Sequence, residues 1–106
     1  MALLTINTDE YNNKRYGKPY IGLCGADGKV TQWGDWLGTI GCAGELSLNI
    51  PDTPTLVMRG QKDNRVTKNS APYYGVFVAG KHADADWTWT SDKLKSIRLL
   101  RELTAG

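Results

Sequence analysis

Between residues 59 and 70 the chain gathers Arg59, Lys62, Arg65, Lys68, Asn69 and Ser70, with Asp63 as the one acid among them. Arginine presents a planar fork of donors, lysine a mobile point charge, and asparagine and serine orienting hydrogen bonds; together these suit a phosphate group. Tyr73 and Tyr74 follow directly, and their rings are able to stack on a base. The earlier segment Tyr11-Asn12-Asn13-Lys14-Arg15-Tyr16 repeats the same chemistry. Two segments of matching character point to one anion site, for which the candidate residues are Asn13, Lys14, Arg15, Arg59, Lys62, Arg65, Lys68, Asn69 and Tyr73. The plain alternative is that both segments are solvated loops. A formal net charge of +2 does not decide between them.

Other chemistry is sparse. The one histidine, His82, is followed by Asp84 and Asp86, which an extended backbone would turn to the same side. That set is able to hold a divalent ion, yet no further ligand cluster supports it, and a solvated loop is the simpler account. No serine lies in a nucleophile elbow, and Gly22 to Gly28 lacks the spacing of a dinucleotide fingerprint. One histidine leaves general acid–base catalysis with few candidates. The expectation is a protein that is not an enzyme, with no catalytic residue, no cofactor and no metal. Cys24 and Cys42 form no C-x-x-C pair and are expected to be buried, unpaired thiols. Trp33, Trp36, Trp87 and Trp89 read more simply as core and interface packing than as a sugar-binding face.

These residues must be held by a chain of 106 residues, the size of one domain, here expected to span 1–106. No apolar run approaches the length of a membrane span, and Met1-Ala2-Leu3-Leu4 has no basic region of a signal peptide, so a cytoplasmic location is expected. Short strands are expected at Leu4 to Ile6, Tyr20 to Cys24, Lys29 to Trp33, Glu45 to Ile50, Thr55 to Arg59 and Tyr73 to Ala79, with another at Trp87 to Thr90. Asp27-Gly28 marks a hairpin turn. Residues 8–17, 34–44 and 60–72 read as loops, the second with Trp36, Leu37 and Ile40 tucked inward. Ser91 is the expected N-cap of a helix over 91–104, with Leu94, Ile97, Leu100 and Leu103 at helical spacing and Leu99 widening the apolar arc. The fold class is mainly β with one α: a small twisted antiparallel sheet or partly open barrel of six or seven strands, covered by the C-terminal helix.

In the two Asn/Lys/Arg segments, residues 11–16 and 60–70, and in its arginine-bearing terminal helix, the chain resembles small phage-encoded β-rich anti-defence proteins. These include the anti-Thoeris sponges that sequester nucleotide signals and the anti-CRISPR inhibitors. The resemblance implies an inhibitor that acts by occupancy in the host cytoplasm, often as a homo-oligomer. Read with the basic loops, it favours non-enzymatic sequestration of an anionic small molecule or nucleotide. The alternatives are a protein–protein inhibitor of a host defence protein and a single-stranded nucleic-acid-binding small barrel.

Overall fold

The computed structural model describes residues 2–39, 41–61, 72–77 and 89–105. It is mainly β. Among the described residues seven strands form two antiparallel sheets: β1 (Ala2–Thr8), β5 (Gly44–Ile50) and β4 (Asp35–Leu37) in the order β1-β5-β4, and β3 (Val30–Trp33), β2 (Pro19–Cys24), β6 (Thr55–Gln61) and β7 (Tyr73–Phe77) in the order β3-β2-β6-β7. The described residues also include two helices, α1 (Glu10–Tyr16) and α2 (Lys93–Ala105).

Period-two alternation builds both cores. The inward residues Leu4 and Ile6 of β1 and Leu46, Leu48 and Ile50 of β5 meet Ile21, Val57 and Phe77 of the larger sheet, with Leu23, Trp36 and Trp89 packed at the margin. The opposite face of the larger sheet presents Cys24, Leu56, Tyr74 and Val76 to Ile97 and Leu100 of α2. The result is three layers, sheet on sheet on helix. Burial of apolar surface on both faces of the middle sheet is the principal force holding them, at roughly 25 cal/mol per Å².

The two sheets are one bent band. β3 runs through Gly34 directly into β4, leaving β2 and joining β5. Gly34 donates its N–H to the Ile21 carbonyl at 2.9 Å. A Cβ there would strike the Ser47 carbonyl and come within 2.6 Å of Ile21 Cγ2, so only glycine passes the corner without displacing backbone. The Asp27-Gly28 turn is formed as expected, with Gly28 at φ 82° and the Gly25 N–H bonded to the Lys29 carbonyl.

Several expectations need correction. Residues 10–16, expected to be loop, are helical. Asp9 caps them by accepting from the Tyr11 N–H at 2.7 Å, Glu10 pairs with Lys14 across one turn, and Gly17 ends the helix at φ 90°. The low helix propensity of Asn12-Asn13 is outweighed by those caps and by tertiary bonds to Asn13. Residues 35–37, also expected to be loop, are a strand. Trp36 is half-buried there, but Leu37 points outward and is 66% exposed. The cap of α2 is Asp92, which accepts from the Lys95 N–H at 3.1 Å, rather than Ser91. Leu94 and Leu103 lie on the exposed side of α2 while Ile97 and Leu100 face the sheet. Trp33 is 60% exposed, so of the core-and-interface reading of the tryptophans the core part does not hold for it. Of the strand expected at 87–90, Thr90 pairs with Tyr74 as an isolated bridge; residues 87 and 88 lie outside the described residues.

The cysteines part company. Both are unpaired, but Cys24 is buried between β2 and α2 and Cys42 is exposed. Burial pushes the Cys24 thiol above its usual range. In native protein a disulfide reagent at neutral pH is therefore expected to titrate Cys42 at once and Cys24 only on unfolding. The same burial means that stability falls as pH climbs through the ordinary thiol range, because the unfolded thiol ionises there and the folded one does not. Equal labelling rates for the two thiols would refute this placement.

Candidate functional site

Where the ends of β1, β6 and β7 come together, α1 closes over them and leaves a cleft of about 440 Å³. Asn7 and Thr8 come from the end of β1, Asp9, Asn12, Asn13 and Tyr16 from α1 and its cap, Arg59, Gly60 and Gln61 from β6, and Tyr73 from β7. Pro19 and Leu46 supply apolar floor. The size is within the range of small-molecule sites.

Arg59 and Tyr73 are direct cross-strand partners in the β6–β7 ladder. Directly opposed residues project from the same face of a sheet, which explains how one cation and one ring reach the same cleft. The guanidinium of Arg59 lies over the Trp89 ring, 5.2 Å from its centroid. Trp89 in turn packs against Phe77, with centroids 5.2 Å apart. Stacking of this kind holds a guanidinium plane in place. Tyr73 is 49% exposed.

Asn13 does something different from what its sequence context implies. It is fully buried. Its Nδ2 donates to Thr8 Oγ1 at 3.0 Å and to the Cys42 carbonyl, and its Oδ1 accepts from Gln61 Nε2 at 3.1 Å. Thr8 Oγ1 also accepts from the Gly44 N–H at 3.0 Å. One amide thus ties α1 to β1, to the turn before β5 and to the end of β6. Asn13 forms the wall of the cleft, and its polar atoms are already engaged.

Lys14 and Arg15 are not in the cleft lining. Lys14 Nζ sits 2.9 Å from Glu10, which raises its pKa, and Arg15 donates to Tyr11 Oη at 3.0 Å, which raises its own. Both are exposed on the outer surface of α1, where such pairs within one helix contribute little. The two basic segments therefore do not converge through Lys14 and Arg15. They converge through Asn12, Asn13 and Tyr16 on one side and Arg59, Gln61 and Tyr73 on the other. Lys62, Arg65, Lys68 and Asn69 lie outside the described residues, as do His82, Asp84 and Asp86. Among the described residues no group of three His, Cys, Asp or Glu side chains is placed to hold a metal ion, and no helix is long and apolar enough to cross a membrane.

Sequence reasoning missed Thr8, Asp9, Tyr16 and Gln61 as cleft residues. Tyr16 had a signal, since it flanks the basic segment. Gln61 had one only in retrospect, through its place at the end of a strand paired with Pro19. Comparison of the chain with protein-family models, with curated proteins and with solved structures finds no match.

Proposed function

We propose that the protein binds a phosphate-bearing small molecule or nucleotide in the cleft between α1 and the β6–β7 ladder, sequestering it without chemical change. The observation that carries this reading is the pairing of Arg59 with Tyr73 across one ladder, so that a held guanidinium and a half-exposed ring border the same cleft. An anionic group would be drawn by the arginine's positive charge, and a planar base would take the tyrosine face. Asn12 and Tyr16 offer the neutral hydrogen-bonding groups that orient a polar ligand. Asp9 brings negative charge to the rim, but it already accepts the Tyr11 N–H as the cap of α1. A host-cytoplasmic inhibitor that works by occupancy, in the manner of the phage-encoded sponges the sequence resembles, is the setting we propose for this activity.

The test is native mass spectrometry of the protein purified from cells, followed by calorimetric titration with ATP, a cyclic dinucleotide and inorganic phosphate. A nucleotide-sized adduct, or binding of at least one added nucleotide, is expected. Tyr73→Ala should weaken that binding by roughly tenfold or more, the worth of one base–aromatic stack, with the melting temperature unchanged. Bare protein that ignores all three probes would overturn the reading. A second reading, a protein–protein inhibitor, draws support from Leu99 and Leu103, neighbours one turn apart that are both partly exposed on α2. It predicts a specific partner in a pull-down that Leu99→Lys abolishes.

A further inference from the structure

The bent band begins at β1, and among the described residues nothing pairs with the outer edge of that strand. At the other end the edge of β7 is met by Thr90, which exchanges both backbone hydrogen bonds with Tyr74 at 2.7 and 2.9 Å. β4 is three residues long and carries Asp35. β1 is different from these and from β3, the remaining edge strand, which is four residues long. It runs seven residues in unbroken register with β5, and its sequence, Ala-Leu-Leu-Thr-Ile-Asn-Thr, contains no charge, proline or glycine. Proteins blunt a free edge with lysine, proline, a bulge or brevity, and β1 uses none of these.

We infer that the outer edge of β1 pairs antiparallel with β1 of a second copy of this chain, making the three-stranded sheet a continuous six-stranded one. The strand is complementary to itself. With the dyad at Thr5, Leu4 on the core face lies opposite Ile6 of the second copy, Leu3 lies opposite its Asn7, and the two Thr5 side chains meet. Apolar residues then meet on the inner face and uncharged ones on the outer face, with no like charges opposed. An isologous twofold contact of this kind closes on itself and leaves no further β1 edge to propagate. A strand from an unrelated protein would gain nothing from that internal symmetry.

The experiment is sedimentation equilibrium or light scattering of the whole protein over its soluble concentration range, with hydrogen exchange read along β1. The parent is expected at twice the chain mass, with alternate β1 amides gaining protection as concentration rises. Thr5→Lys places two ammonium groups at the dyad and should run as a folded monomer by circular dichroism. Should that variant lose its fold, Leu3→Lys poses the same question at a position 59% exposed. Leu37→Lys, on the short β4, should remain dimeric. A parent that stays monomeric throughout, or a dimer that survives both β1 lysines, overturns the inference.

Discussion

Asn13→Ala is expected to lower the unfolding free energy by about 2–4 kcal/mol, because each buried partner left without its bond costs roughly 1–3 kcal/mol. The partners are Gln61 Nε2, which loses an acceptor, and Thr8 Oγ1 and the Cys42 carbonyl, which lose a donor. Four parts of the chain are held by this one amide, the farthest of them 48 residues from it in sequence. Its loss should therefore loosen the whole end of the molecule that carries the cleft. Urea denaturation of the variant beside Lys14→Ala provides the comparison. Lys14 is the next residue and exposed, paired with Glu10 of its own helix, and its removal should leave the midpoint nearly where it was. The shape-matched Asn13→Asp should be no better than alanine, since a carboxylate donates nothing to the Cys42 carbonyl and its charge is buried. If Asn13→Ala and Lys14→Ala unfold at the same urea concentration, the amide is not the tie described above.

Gly34→Val is the second large effect. Even an alanine Cβ would strike the Ser47 carbonyl and crowd Ile21 Cγ2 and Leu48 Cβ. Overpacking of a well-packed core costs about 1–3 kcal/mol, and the branched side chain belongs at or above the top of that range. The obstacle here is backbone as well as side chain, so relief requires the corner itself to open. That would also break the bond from Gly34 to the Ile21 carbonyl, at 2.9 Å. Gly22→Ala is the informative contrast. Its added Cβ meets Val30 Cγ1 at 2.8 Å and Trp33 Cε3 at 3.3 Å, both side-chain atoms on the edge strand β3. Those groups are free to shift, and the destabilisation should be well below that of Gly34→Val. The reverse order would mean that the passage from β3 to β4 is not the constrained corner that the geometry describes.

Much of the frame was legible because alternation is a local signal. Glu45 to Ile50 reads as a half-buried strand on sight, and Leu46, Leu48 and Ile50 are the residues that enter the core. Asp27-Gly28 marks its turn by backbone preference alone. The spacing of Ile97 and Leu100 marks the helix, although Leu94 and Leu103 share that spacing and remain outside. Periodicity says which residues lie on one face; it does not say how wide the partner is that covers them.

The candidate site was legible in chemistry and not in geometry. Arg59, Asn13 and Tyr73 were picked out by residue type, and the fold does bring them to one cleft. Type alone did not separate the roles of neighbours. Asn13 is buried and tied on several sides, whereas Lys14 and Arg15, adjacent to it, turn to solvent. That division depends on α1 being a helix, and α1 is held by Thr8 just before it and by Cys42 and Gln61 from distant parts of the chain. Sequence by itself determined the strands other than β4, the turn and the presence of the terminal helix, since each follows from hydrogen-bonding and burial preferences within a few residues. Tertiary structure decided which polar side chains are walls and which face the cleft, because that depends on partners tens of residues away whose placement no local pattern records.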